Sequence, residues 1–369
     1  MFHRLYIQRS RAQVEGSYAI PLRTLCDVEH LRTMTINEIR TLTTPREGEV
    51  RIGQRIATLG STEGIASGTR VVILGIPEDI GIRANLGRPG ARRMWRTFLP
   101  RFLNMQSNAF LDGESLTIGG CIEVRDLNKA AKGIDATVGG PRARAESLLL
   151  LRELVREVDN RVASVIKCLR EQNVMPIVIG GGHNNAYGIL AGCAGSEGSS
   201  LASVNVDLHA DLRPCEGRHS GNGFSYARAD GFLGKYALLG MSEAYATQAI
   251  IADIKADDRI AAFTFESMLR GGITPARMVE LAIAHLGETP ATLELDLDAV
   301  AQAPASAAAA SGFSSAEFRL MATQLARGIN MKAAHVAEGA PGSGAWPQDM
   351  LGKFVAEVVR DIATAAVNK

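Results

Sequence analysis

The chain has 369 residues, 21% charged and 46% hydrophobic, and its 40 Lys and Arg offset 39 Asp and Glu to a formal net charge of +1. This composition excludes a disordered chain and is long enough for a large buried core. A balanced charge without a basic block carries no electrostatic footprint for nucleic acid.

The N-terminus, MFHRLYIQRSRAQVEGSYAI, has neither the apolar core nor the small-residue cleavage site of a secretory signal. Residues 1–65 read as an N-terminal extension of a few strands and loops, with no function assigned. From Arg70 the pattern becomes regular. Short apolar runs at 71–76, 175–182, 203–207, 235–240, 261–265, 292–298 and 332–338 predict strands, separated by helix-length segments. One such segment is Glu146 to Glu171, where Leu150, Leu154, Val158, Val162 and Ile166 recur at intervals of four. This alternation predicts βαβ units, hence an α/β fold with a mostly parallel sheet covered by helices on both faces. With no repeat and no composition break after residue 70, residues 66–369 read as a single domain. The tract Ala301 to Gly312, AQAPASAAAASG, reads as a flexible loop or as a wall of a site, since it follows a strand end rich in Asp.

Cys26, Cys121, Cys168, Cys193 and Cys215 are odd in number and form no CxxC, which suits a reducing cytosol better than a disulfide framework. No apolar run approaches the ~18 residues that span a bilayer. A cytoplasmic protein with no nucleic-acid or membrane partner is expected; a homo-oligomer is compatible with the sequence, which does not fix the oligomeric state.

In parallel sheets, ligands bind at the carboxyl ends of the strands. Three predicted strand ends carry polar clusters: IVIGGGHNN with His183, VNVDLHAD with Asp207, His209 and Asp211, and LELDLDAV with Asp296 and Asp298. In extended chain, residues two apart face the same side. Four carboxylates and two imidazoles facing one crevice make a cage for two divalent cations, and the mixed oxygen and nitrogen donors favour Mn²⁺ or a similar ion. A phosphate-binding loop formed by GGGHNN alone would leave the two Asp-rich strand ends unexplained.

In this order the motifs resemble the ureohydrolase superfamily of arginases, agmatinases and formimidoylglutamases. The family pattern of GGDH, D-x-H-x-D, D-x-D and E-x-x-P stands here as Gly180-Gly181-Gly182-His183, Asp207-Leu208-His209-Ala210-Asp211, Asp296-Leu297-Asp298 and Glu338-Gly339-Ala340-Pro341. Flanking segments at 84–92, 180–188, 216–227 and 335–341 resemble the formimidoylglutamase-like branch. The resemblance implies a three-layer α/β/α fold and two Mn²⁺ per chain. One ion would be held by His183, Asp207, Asp211 and Asp296, the other by Asp207, His209, Asp296 and Asp298, with Asp207 and Asp296 bridging. Departures fall at Gly182, Asn184, Ala301 and Gln302, none of them a ligand in the pattern.

The implied reaction is hydrolysis of a C–N bond in a linear amidine, most simply N-formimino-L-glutamate, through a hydroxide shared by two ions. A urea-releasing guanidino hydrolase and a catalytically silent metal-binding relative are the alternatives. Asp211 is a candidate proton acceptor, and His219, on a glycine-rich loop, a candidate shuttle. By resemblance, Glu338 would orient the amidine nitrogens. Arg88 and Arg218 are candidates for an anionic substrate tail, and Asn184 and Asn222 for amide hydrogen bonds to substrate, although Asn184 equally suits a helix cap.

Overall fold

In a computed structural model, residues 30–61, 65–343 and 346–369 are described. Their strands form one sheet: β1 (Leu31–Arg32), β2 (Ala57–Thr58), β3 (Val71–Gly75), β4 (Leu116–Ile122), β5 (Met175–Ile179), β6 (Leu201–Val206), β7 (Leu233–Met241), β8 (Ile260–Thr264), β9 (Pro290–Asp296) and β10 (Asn330–Ala337). The order is β1-β4-β3-β5-β10-β9-β6-β7-β8, with β2 also on β4. Only the β1–β4 pair is antiparallel.

Alternating residues feed two cores. Val71 and Ile73 of β3, with Ile177 and Ile179 of β5, join one core; Val72, Leu74 and Val178 join the other. The first packs against helices Met94–Leu103, Ser315–Gly328 and Gln348–Val367, the second against Pro141–Glu171 and Asn185–Glu197. Burial on both faces explains why VVILG and MPIVI are continuously apolar instead of alternating. The result is the three-layer α/β/α architecture expected from the sequence.

Two local readings need correction. The helix Pro141–Glu171 buries Leu151, Val155, Val158, Val162, Val165, Ile166 and Leu169, whereas Leu150 is 57% exposed. A strict interval of four drifts ~40° per step around a helix of 3.6 residues per turn, so the stripe through buried Val158, Val162 and Ile166 is off the buried face at its Leu150 end. Strand β4, LTIGGCI, escaped the reading because two glycines interrupt its apolar run. They are required there: the β3–β4 register shifts between Ile73 and Leu74, and a Cβ on Gly120 (φ +105°) would lie 2.1 Å from the Arg32 carbonyl of β1. The described part of the N-terminal extension adds β1 and β2 to the sheet and places Ile39, Ile52 and Ile56 in the core; residues 1–29 lie outside the described residues.

Chain order and sheet order together place the expected site. β5, β10, β9 and β6 are neighbours and all parallel, so their carboxyl ends open onto one crevice.

Candidate metal centre

Each strand ends in a turn that aims its side chains inward. β5 exits through Gly180 (φ 83°) and Gly181 (φ 75°), and a Cβ on Gly181 would lie 2.3 Å from Asn185 Nδ2. This left-handed pair delivers a fully buried His183 to the crevice. After β6, the His209 amide donates to Asp207 Oδ1 at 2.6 Å; after β9, the Asp298 amide donates to Asp296 Oδ1 at 2.8 Å. Both D-x-[H/D] pairs are therefore side-chain-capped turns. The extended-chain alternation used to predict their convergence gives way to this local hydrogen bond. Asp211 follows in left-handed backbone (φ 49°), a strained conformation of the kind that clusters at functional sites.

The six expected ligands meet. His183 Nδ1 lies 3.2 Å from Asp207 Oδ2, 3.1 Å from Asp211 Oδ2 and 3.1 Å from Asp296 Oδ2. The other Asp207 oxygen faces His209 Nδ1 at 3.6 Å, and Asp298 Oδ2 lies 2.8 Å from that nitrogen. Asp207 thus turns one oxygen toward each imidazole. Asn205 Nδ2 donates to Asp207 Oδ2 at 3.0 Å and to the Tyr236 hydroxyl at 3.0 Å, locking the carboxylate, and the His209 ring stacks on Tyr245 at 5.2 Å.

Burial pushes the carboxyls of Asp211, Asp296 and Asp298 up, Asp298 to about 6, and the charge of Asp207 adds to this at all three. Asp207 resists its own burial and is held low by His183 and His209. Burial disfavours the cationic imidazoles, yet the surrounding carboxylates hold His183 and His209 above the ordinary histidine value. An excess of carboxylates in a dry crevice demands protons or cations.

The donor set fits divalent ions. Neither nitrogen of His183 nor Asp298 Oδ1 makes a hydrogen bond, although all three are buried. Two donors each ~2.1 Å from one ion at a right angle lie ~3 Å apart, close to the 3.1–3.2 Å spacing around His183 Nδ1. Two overlapping groups of ligand atoms, His183 with Asp207 and Asp211, and Asp207 with His209 and Asp298, share Asp207.

A cavity of about 910 Å³ opens over this cluster, bounded by His209, Asp211, Asp296, Asp298, Ser306 and Glu338. Glu338 (φ 64°) accepts from the His183 amide at 2.6 Å and from the Ser306 hydroxyl, and burial pushes its carboxyl to about 8. The Ala-rich tract is thereby resolved as a wall: Ser306 N donates to the Glu338 carbonyl and Ala340 N to the Pro304 carbonyl, clasping the loop to the end of β10.

Four sequence expectations change. Arg218 is buried and spent on Asp159 (2.8 Å), Asn222 Oδ1 (2.6 Å) and the Asn184 carbonyl (2.9 Å), between the rings of Tyr187 and Tyr226. It is an internal brace without a free donor face for a substrate. Asn222, also buried, uses its amide on Arg218 and on the Pro214 and Gly217 carbonyls. Asn184 turns beneath the glycine loop toward buried Glu78, and neither lines the cavity nor caps the following helix with its side chain. His219 is fully buried, its Nδ1 accepting from the Gly221 amide and its Nε2 facing Glu216 at 3.2 Å. Burial, with Arg213 and Arg152 nearby, pushes it down to about 4, leaving a neutral, engaged ring unsuited to shuttling protons. Arg88 is exposed and touches the wall through Nε to the Ser306 carbonyl at 3.3 Å. Sequence reasoning missed Ser306, Glu294 and Arg213; Arg213 is the one Lys or Arg among the described residues lining the cavity, and its spacing of two from Asp211 was the available signal.

The Arginase family model matches residues 69–362. The chain belongs to the arginase family. A formimidoylglutamase of Streptococcus pyogenes is 33% identical over 184 residues, 48% of this chain and 48% of that protein, so the chain spans about half the length of the curated relatives it matches. Among solved structures, Trypanosoma cruzi formiminoglutamase with Mn²⁺ is 18% identical with a TM-score of 0.67, covering 87% of this chain and 100% of that one. Bacillus subtilis formimidoylglutamase is 16% identical with a TM-score of 0.67, covering 88% and 94%. These likenesses show the arginase-family fold.

Proposed function

We propose that the chain is a two-metal hydrolase of a linear amidine, N-formimino-L-glutamate, yielding L-glutamate and formamide. The observation that carries this reading is His183 Nδ1 ringed by Asp207, Asp211 and Asp296, with the second oxygen of Asp207 turned to His209 and Asp298. One ion would be held by His183, Asp207, Asp211 and Asp296, the other by Asp207, His209, Asp296 and Asp298. Mn²⁺ suits these oxygen and nitrogen donors, and the Trypanosoma cruzi relative carries it. Bound divalent ions would acidify a water to a nucleophile near neutral pH.

The protein's own groups supply the rest. Glu338, anchored by Ser306 and the His183 amide, faces the cavity; its burial-raised carboxyl would ionise beside the cationic substrate and then hold the planar amidinium through a charge-assisted hydrogen bond. As water adds to the sp² carbon, Asp211 takes up the proton, a task its burial-raised carboxyl favours, and returns it to the departing glutamate nitrogen. Arg213 at the wall and Arg88 outside it are the cations placed for a carboxylate tail.

The test is a substrate panel. Purified protein supplied with Mn²⁺ releases formamide from N-formimino-L-glutamate and no urea from arginine or agmatine. Urea release would replace the substrate assignment, and two bound ions without turnover on any of the three would leave a metal-binding protein without this activity.

A further inference from the structure

Behind His183, away from the aspartates, lie two wholly buried polar residues that the proposed hydrolysis does not use. Glu294 of β9 and His335 of β10 are direct partners across the parallel ladder. His335 Nε2 lies 3.2 Å from the Gly180 carbonyl, and His335 Nδ1 lies 2.9 Å from Glu294 Oε2. A carbonyl only accepts, so His335 Nε2 carries a hydrogen and donates it. The Nδ1 contact joins the other ring nitrogen to the Glu294 carboxylate at hydrogen-bond distance. The same Glu294 Oε2 faces His183 Nε2 at 3.6 Å, while Glu294 Oε1 has no partner.

This geometry acts on His183, a ligand whose two nitrogens must be told apart. With its hydrogen on Nε2, directed at Glu294, His183 presents the Nδ1 lone pair to the space among Asp207, Asp211 and Asp296. With the hydrogen on Nδ1, the ring blocks that space. Phe224, edge-on to the ring at 5.4 Å between centroids, does not choose, and the three aspartates around Nδ1 draw the hydrogen to that nitrogen until an ion takes its place. Metal-binding histidines commonly have the second nitrogen fixed by a carboxylate. Here that carboxylate is itself tethered by a histidine bonded to the very glycine that opens the His183 loop.

We propose that Glu294 is a positioning residue that fixes the metal-binding orientation of His183, and that His335 acts through Glu294 by holding its carboxylate toward that ring. The proposal rests on the reading of His183 as a metal ligand. Glu294→Gln removes the negative charge that faces His183 Nε2, and His335→Gln loosens the tether alone.

Mn²⁺ binding is titrated calorimetrically for the wild type, Glu294→Gln, His335→Gln, the double variant and His183→Ala, with thermal melting of each metal-free protein as the folding control. The expected result is two ions per chain, one bound about 10–100-fold more weakly in each single variant and the other unchanged. The double variant loses no more than Glu294→Gln, because both act on one ring. Wild-type affinity in Glu294→Gln, with one ion lost in His183→Ala, overturns the positioning role. If Glu294→Gln does not fold, His335→Gln decides by the same readout. Wild-type binding in His183→Ala instead overturns the underlying ligand assignment, and a third ion abolished by Glu294→Gln would make the pair ligands themselves.

Discussion

Asp207 and Arg218 are both buried and charged, and they differ in what surrounds them. Arg218 has its carboxylate partner, Asp159, and a carbonyl and an amide oxygen on its remaining donors. Removing one member of such a buried pair typically costs ~3–5 kcal/mol, so Arg218→Met should lower the urea midpoint sharply while leaving Mn²⁺ stoichiometry in the folded fraction intact. Loss of metal without loss of stability would return Arg218 to the site. Glu338→Gln is expected to act oppositely: it removes the charge that holds the amidinium, lowering kcat/KM by about 10²-fold or more, an order typical of a lost catalytic electrostatic contact, with Mn²⁺ content unchanged. A variant with wild-type kinetics would remove Glu338 from the reaction. At this scale the sequence was informative where chemistry is rare and poor where it is common. His183 and the four aspartates stand out because carboxylates seldom end buried strands. Arg218, Asn222 and Asn184 were chosen for being polar near a motif, and whether such a side chain turns into the cavity or beneath the loop depends on long-range partners such as Asp159 and Glu78.

Elements were legible in proportion to their continuity. The fully buried strands β3 and β5 announce themselves as unbroken apolar runs, whereas β4 hides behind Gly119-Gly120, needed where the ladder bulges and β1 crosses close. The long helix was legible, with Val158, Val162 and Ile166 on its buried face, but Leu150 at the start of the stripe lies off that face. Two neighbouring leucines measure this directly: Leu151→Ala, in the core, should cost ~2–5 kcal/mol, and Leu150→Ala, in solvent, within about 0.5 kcal/mol, by urea denaturation. Equal costs would mean the helix is rotated. The turns after β6 and β9 were the least legible. Their convergence was expected from strand alternation, and it is produced by carboxylates that hydrogen-bond the amide two residues on.

Across the whole molecule, a near-neutral net charge conceals a local excess of acid at one end of the sheet. Unfolded carboxyls titrate near ~4, while in the folded chain Asp298 is raised to about 6, Asp159 to about 7 and Glu338 to about 8, with Asp211 and Asp296 also raised. The native state therefore holds more protons than the unfolded state between these limits, and stability falls as pH rises through them. His183 and His209, also raised, contribute with the same sign. His219, lowered to about 4, opposes this only below pH ~6.5, where an unfolded histidine would take up a proton. The melting temperature of the metal-free protein should thus fall from pH 6.5 to 8.5, and saturating Mn²⁺ should abolish most of that fall by replacing protons with cations. A flat or rising profile without metal would show that the acidic cluster is relieved in another way.

In the proposed function, the carboxyl ends of β5, β6 and β9 build one site for two divalent ions that share Asp207. Elemental analysis of the Mn²⁺-loaded, desalted protein and its Asp207→Ala variant tests it most directly. Two ions per chain are expected in the wild type, with a loss at both positions, to well under one ion, in a variant that remains folded. Two ions retained after Asp207→Ala, or none bound by the wild type, would contradict it.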